Sequence, residues 1–400
     1  MARIEIKNIG PIKEAKFDLN KVNVFMGPQS SGKSTIAKII SYCQWVEKRF
    51  ILDRQEDCYH AEEQLLEFHR LNKNYFYDDS FFKYESEFVI ITCEGKDLKQ
   101  FIKEKNGITH YSKTKNIYIP SERNFVAVIP NLRKYNETND NVMSFLRDYY
   151  VAKRKYKREN TLPILGLGVS FYNNENDDSD ILVLEKEKKE ISLHAGSSGL
   201  QSITPLLLVL EYLSNILYTE KVTLSIDEQE SLDEFMRKSY PELNGIDFSH
   251  LEQYNTKPID WKMTANLRIS YHYTNFIIEE PEQNLFPETQ KELIYHLLKS
   301  IQQKERHHSL LITTHSPYIL YALNNCMMGW LVYDKMSDKD KQKLKCQSSL
   351  INPQDVSVYE IHDGILIKIQ QDDNLIGANY FDKKMKELMD DFYVMLNYYE

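Results

Sequence analysis

Nine consecutive residues, Gly27-Pro28-Gln29-Ser30-Ser31-Gly32-Lys33-Ser34-Thr35, follow the apolar run Val22 to Met26 and open the apolar-periodic stretch Ile36 to Val46. Two glycines bracketing four residues, then a lysine and a hydroxyl residue, make a phosphate-binding loop when they stand between a strand and a helix, and these flanks supply both. Successive backbone N–H groups of such a loop turn inward on a β-phosphate, and the helix N-terminus adds its positive end. Lys33 is placed to bridge β- and γ-phosphate oxygens and Ser34 to ligate Mg²⁺. The loop therefore predicts a site for a nucleoside triphosphate, with ATP and Mg²⁺ as the expected pair.

Three later segments carry further candidate chemistry. The apolar strand Asn275 to Ile278 ends on the adjacent carboxylates Glu279 and Glu280 and is stopped by Pro281. Delivered to the carboxyl end of a strand beside a phosphate loop, Glu279 can hold Mg²⁺ through water and Glu280 can orient the attacking water. A solvated acidic loop is the alternative reading. A second buried-type strand, Leu310 to Thr314, ends on His315, and a lone strand-end histidine is as readily structural. The small-residue turn Ala195 to Ser202 runs into the apolar stretch Ile203 to Leu217, which in isolation is a capped helix start.

These groups need a scaffold. Ala2 to Ile6 and Ala15 to Leu19 alternate around the turn Asn8-Ile9-Gly10-Pro11, an antiparallel hairpin that feeds the strand Val22 to Met26. Short helical stretches near Ala61 to Leu71 and a strand pair at Phe88 to Cys93 and Ile108 to Tyr111 predict a β-rich arm. Ile117 to Ile119 is a strand ended by Pro120, Val142 to Lys157 is helical, and Ile181 to Glu185 pairs with Glu190 to His194. The fold class that results is α/β: a mixed sheet with flanking helices and an N-terminal antiparallel hairpin.

With 400 residues, 42% of them hydrophobic, the chain can bury one large core or two small ones. A net charge of −9 excludes a generally basic nucleic-acid coat but not a local patch. Five cysteines without C-x-x-C spacing point to a reduced, cytoplasmic setting and give no structural metal. Ile203 to Leu217, interrupted by Pro205 and Glu211, is too short to cross a bilayer, and Met1 to Glu5 lacks a signal-peptide core, so no membrane role is expected.

In this order the segments resemble the ABC-type ATPases, and within them the branch of RecF, SMC and OLD-like proteins. The resemblance runs from Met1 to about Leu323 and rests on four motifs: Walker A at Gly27 to Thr35, the signature loop at Ser197-Ser198-Gly199-Leu200-Gln201, Walker B at Phe276 to Glu280, and the switch histidine at His315. Glu282-Gln283-Asn284-Leu285-Phe286-Pro287 looks like the D-loop, with Phe286 where histidine is usual. Gln29 replaces a common asparagine, and Glu279 replaces the usual Walker B aspartate, as it often does in OLD-like proteins. Gln44 and Gln55 are poorly placed for the Q-loop glutamine. Ile117 to Arg123 resembles the strand and loop that follow the arm in OLD-like proteins.

The resemblance implies one ATPase domain over residues 1–400. Within it lie an arm or insertion at 47–115, a basic helical insertion at 131–160, an insertion at 219–262 between signature helix and Walker B, and a C-terminal hairpin and helix in 329–400. It further implies a head-to-tail homodimer in which Ser197, Ser198, Gly199 and Gln201 of one copy contact the ATP of the other. Lys33, Glu280 and His315 would be catalytic, with His315 on the γ-phosphate.

OLD-like proteins often continue into a Toprim nuclease. The one Asp-x-Asp here, Asp338-Lys339-Asp340, sits in a lysine-rich stretch and reads as a solvated loop. No nuclease activity is expected from this chain, so the resemblance implies a separate effector, a nuclease, as for the standalone ATPases of anti-phage systems such as PARIS and Septu. The alternative is a RecF-like DNA clamp. Its support is the basic run Lys153, Arg154, Lys155, Lys157 and Arg158, interleaved with Tyr149, Tyr150 and Tyr156, which can neutralise phosphates and stack on bases or form a solvated helix face. His307 and His308, in a helix-to-strand loop, read as exposed.

Overall fold

The computed structural model describes residues 2–53, 60–105, 111–128, 140–219, 270–303 and 306–399. Residues 131–139, nearly all of the 219–262 insertion, Gln55, Cys58 and Ile108 to His110 lie outside the described residues. Strands β1 (Arg3–Ile9) and β2 (Ile12–Asp18) form the expected hairpin and lead into β3 (Val22–Met26), after which the phosphate loop opens α1 (Lys33–Asp53). A meander of β4 (Phe76–Glu85), β5 (Val89–Glu94) and β6 (Lys99–Glu104) precedes β7 (Thr114–Ile119) and α2 (Asn141–Lys153). Four strands, β8 (Leu162–Pro163), β9 (Val169–Asn174), β10 (Ser179–Leu184) and β11 (Lys189–Ser192), build a second sheet ahead of α3 (Ser198–Ser214). Then β12 (Tyr273–Glu279), α4 (Pro287–Ile301), β13 (Ser309–Thr314) and α5 (Pro317–Val332) alternate, followed by β14 (Val356–His362), β15 (Ile365–Lys368) and α6 (Tyr380–Leu396).

The main sheet has eleven strands in the order β6-β5-β4-β1-β2-β15-β14-β3-β13-β12-β7. Its β14-β3-β13-β12-β7 block is parallel, while β6 to β2 are antiparallel. The parallel strands are apolar on both sides, as strands buried on both faces must be. Phe25, Tyr118, Ile277, Leu311, Tyr359 and Ile361 pack with α1 on one face. The alternate residues Val24, Met26, Phe276, Ile278, Leu310, Ile312 and Val358 pack with α2, α3, α4 and α5 on the other.

Several expectations change in three dimensions. Strand β5 pairs with β4 on one side and with β6, Lys99–Glu104, on the other. Only alternate side chains of β6 are partly covered, and this edge strand has too little apolar alternation to be read as one. The strands β4 to β6 of the 47–115 stretch continue the main sheet beyond β1. The C-terminal hairpin enters the middle of that sheet, with β14 beside β3. Helix α3 continues through Pro205, where burial on nearly every side offsets the missing hydrogen bond. The apolar stretch Ser198–Tyr218 is the one helical segment among the described residues long and apolar enough to cross a membrane, and it is mostly buried inside the protein. Asp338–Lys341 is an exposed helical turn capped by Ser337 instead of a loop.

His308, expected outside, is fully buried: its Nδ1 accepts the Thr274 N–H at 2.9 Å, which ties the start of β13 to β12. His307 is exposed.

Glu47 of α1 is buried and accepts the Tyr84 hydroxyl of β4. Burial pushes its pKa from about 4.5 up to about 7. Between those values the folded chain holds more protons than the unfolded one, so this group's contribution to stability falls as pH rises through the window. Glu47→Gln should raise the melting temperature by a few degrees at pH 8 and change it little at pH 4.5. Thermal melts at both pH values check this, and an equal shift at both would assign the effect to packing alone.

Candidate functional site

The register of three neighbouring parallel strands assembles the site. Glu279 pairs with Thr313, and Thr314 pairs with Met26, so the Glu279–Glu280 turn, the Thr314–His315 turn and Gly27 leave the sheet at one edge. This is the carboxyl edge, where open α/β sheets bind ligands. The phosphate loop is tightly enclosed: at Gly27 (φ +146°) a Cβ would stand 2.7 Å from the Ile361 carbonyl of β14, and at Gly32 (φ +105°) 2.6 Å from Ile12. The spacing of these glycines is thus dictated by the sheet as well as by the backbone turn.

The Lys33 ammonium is buried and donates to the carbonyls of Gly27 at 3.0 Å and Pro28 at 2.7 Å. Burial pulls its pKa down to about 8, against the carboxylates of Glu280 and Glu282, which favour the charged form. A phosphate placed against it would favour that form further.

Glu280 has a left-handed backbone (φ +42°), uncommon for a residue with a side chain, and its Oε1 lies 3.2 Å from His315 Nε2. Hydrogen bonding to His315 holds the Glu280 carboxyl below its ordinary pKa, with burial opposing. It therefore stays an acceptor, the form a water-orienting group needs. Glu279 is buried, with Oε2 3.4 Å from the Ser121 N–H and Oε1 without a hydrogen-bond partner. The buried Tyr118 hydroxyl neighbours this carboxylate, and burial together with the Glu279 charge raises the Tyr118 pKa; a carboxylate so placed at the strand end could hold a hydrated divalent cation.

Glu282 does more than the D-loop resemblance implied. Its Oε1 accepts the His315 N–H at 2.6 Å and the Thr314 hydroxyl at 2.9 Å, fixing the histidine turn against the acid turn. The start of α3 packs on the same turn: Ser202 Oγ accepts from Asn284 Nδ2 at 2.8 Å, and a Cβ on Gly199 would stand 3.0 Å from the Asn284 carbonyl. Ser197 caps the helix through the Leu200 N–H at 3.4 Å, and Gln201 donates to the His194 carbonyl at 2.8 Å. Ser197 and Ser198 are exposed.

The basic run is engaged to different degrees, from a buried Lys153 to Arg154 and Arg158 with side chains 60% and 72% exposed. Lys153 is buried, with Nζ 3.1 Å from Asp180 and 3.4 Å from Asp178. Lys157 pairs with Glu175, Arg158 reaches Glu190 at 2.5 Å, Arg154 lies 4.0 Å from Asp178, and Lys155 sits over the Tyr212 ring. Tyr149 is buried and bonded to Asp180, and Tyr156 is buried. The small sheet supplies the acids, which lie 17 to 37 residues downstream of these bases and outside a local reading of the run.

Arg123, at the end of the Ile117 to Arg123 segment just after β7, holds a place in the site that its sequence neighbours do not announce. It is completely buried and donates to the carbonyls of Glu279 (2.9 Å), Glu280 (2.9 Å), Pro281 (3.2 Å) and Ser202 (3.3 Å). Burial lowers its pKa to about 10, with Glu282, Glu280 and Glu279 opposing. The only sequence signal is an arginine after a proline-ended strand. Arg123→Met should leave these carbonyls unpaired and cost about 3–5 kcal/mol. Arg123→Lys should fold, keep nucleotide affinity within a few-fold, and lower kcat at least tenfold. Equal losses of affinity and kcat would make the residue only structural.

No protein-family model matches the chain, and no curated protein matches it. Among solved structures it is similar to an SMC head bound to the C-winged helix domain of ScpA, at 11% identity over 92% of this chain and 97% of that one, with a TM-score of 0.40. It is also similar to the SMC head domain from Thermotoga maritima, at 10% identity over 92% and 98%, TM-score 0.38. The recombination mediator protein RecF aligns at 14% identity over 92% and 97%, TM-score 0.32. These likenesses are distant, and the chemistry stands on the chain's own residues.

Proposed function

We propose that the chain is an ATP-driven switch. It binds ATP with Mg²⁺ on Gly27 to Thr35, hydrolyses it with Glu280 and His315, and closes two copies head to tail. The observation that carries this reading is the convergence of the phosphate loop, Glu279, Glu280 and His315 at one edge of three adjacent parallel strands. Lys33 neutralises phosphate charge, Glu280 orients water, and His315 holds the Glu280 carboxylate and reaches toward the γ-phosphate. Mg²⁺, held by Ser34 and through water by Glu279, would offset the charge of the triphosphate. The exposed Ser197 and Ser198 at a helix N-terminus suit contact with phosphates held by a second copy. Loss of the γ-phosphate on hydrolysis would release that contact.

The finer reading is that the switch governs a separate effector, a nuclease of an anti-phage system, in the cytoplasm. It rests on the motif resemblance to standalone defence ATPases. The exposed Asp338 and Asp340, on a helical turn instead of a strand end, favour an effector site elsewhere. A RecF-like DNA clamp is the second reading: Lys153 is buried against Asp178 and Asp180, but Arg154, Lys157 and Arg158 keep exposed side chains whose surface ion pairs are weak enough to exchange for phosphates.

Glu280→Gln should bind ATP within about twofold of wild type and lose turnover by at least about 10²-fold. Lys33→Ala should lose nucleotide binding itself. Mixing two inactive variants, Lys33→Ala and Ser198→Arg, should restore roughly a quarter of the wild-type rate, because half of randomly formed pairs hold one intact composite site. Equilibrium binding of a fluorescent ATP analogue reads the two affinities, and phosphate-release assays read turnover and complementation. Normal turnover by Glu280→Gln would remove that residue from its role, and no complementation would overturn the head-to-tail arrangement.

A further inference from the structure

Tyr118 of β7 is buried, and its hydroxyl neighbours the Glu279 carboxylate but stops short of a full hydrogen bond. A phenylalanine would fill the same space without leaving a polar atom in the core, where an unmet hydroxyl is costly. Its neighbour has the complementary need, because Glu279 Oε1 is equally buried and lacks a completed bond from any donor.

Strand register explains why the two meet. Tyr118 pairs with Ile277 of β12, and Glu279 lies two places further along that strand. Side chains alternate, so Tyr118 and Glu279 share the face covered by α1, whose first turn carries Ser34. The Tyr118 ring packs edge-on against the buried His69 ring, with centroids 5.1 Å apart and planes at 67°, which leaves the phenol little freedom to turn away. The end of β7 thus surrounds Glu279: the Ser121 N–H lies 3.4 Å from Oε2, Arg123 donates to the backbone carbonyl at 2.9 Å, and the Tyr118 hydroxyl stands beside the carboxylate. An ionised carboxylate has about four lone-pair sites, so donors from β7 leave room for the water of a bound cation. A charge-assisted bond from a locked phenol fixes the carboxylate's rotation, which the long Ser121 contact alone holds loosely.

We propose that Tyr118 is a positioning residue for Glu279, whose carboxylate it fixes by donating its hydroxyl, in the orientation that holds the hydrated Mg²⁺ of the bound nucleotide. This rests on the reading of Glu279 as the cation-holding carboxylate. Tyr118 itself touches neither the nucleotide nor the attacking water; it acts through Glu279.

Binding of a fluorescent ATP analogue to the full chain, in EDTA and across a Mg²⁺ titration, tests this, with Tyr118→Phe and Glu279→Gln measured beside the wild type. Tyr118→Phe should melt no lower than the wild type, because the hydroxyl it removes has no full hydrogen bond to lose, and should bind the analogue in EDTA within about twofold of it. The Mg²⁺ concentration that gives half of the gain in affinity should rise about tenfold or more in this variant, the loss typical of a group that orients a metal-holding residue. Wild-type Mg²⁺ dependence in Tyr118→Phe, with Glu279→Gln impaired, would overturn the inference and leave the proposed function standing. Wild-type dependence in both variants would overturn the cation-holding role of Glu279, and this inference with it. A loss of affinity in Tyr118→Phe that is equal in EDTA and in Mg²⁺ would make the tyrosine a packing residue only and likewise overturn the inference.

Discussion

The turn that carries Glu279 and Glu280 leaves the sheet with its carbonyls facing inward, and buried carbonyls require donors. Arg123 supplies them to three consecutive residues, Glu279, Glu280 and Pro281, and reaches Ser202 of α3 with the same planar fork. The position of both carboxylates, the left-handed backbone of Glu280 and the seating of the α3 start all rest on this one guanidinium. It is itself stabilised by the three acids of the turn, whose charges oppose the cost of burying it.

The same low-dielectric edge sets the electrostatics around it. Lys33 is kept near the point of losing its proton by burial, while Glu280 is held ionised by His315. Glu282 is shifted the other way, its pKa raised by burial although it accepts from the His315 backbone and the Thr314 hydroxyl. Four charged or titratable groups within one strand-end cluster thus have separate tasks because their partners differ: one meets carbonyls, one an imidazole, one backbone and hydroxyl donors, and Glu279 keeps an unpartnered oxygen.

Away from that edge, the chain spends its polar residues on structure. Lys153, Lys157 and Arg158 meet acids in or beside the small sheet, and His308 joins two core strands. Helix α6, by contrast, buries none of its residues.

The phosphate loop, the strand ends that carry Glu279, Glu280 and His315, and most of the parallel block could be read from sequence, because each is a local pattern: a fixed glycine spacing, or an apolar run stopped by charge or proline. The N-terminal hairpin was equally legible from its alternation and its turn residues. Tertiary structure alone decided what depends on distant pairing. It threaded β14 and β15 between β2 and β3, paired β5 with the polar edge strand β6, buried His308, and set Lys153 of the basic run against Asp178 and Asp180. It also revealed Arg123, whose neighbours in sequence say nothing of the carbonyls it holds, since those come from residues 79 to 158 positions later. Periodicity records which side of an element is apolar, whereas the partner that completes a buried charge is set by how the elements pack.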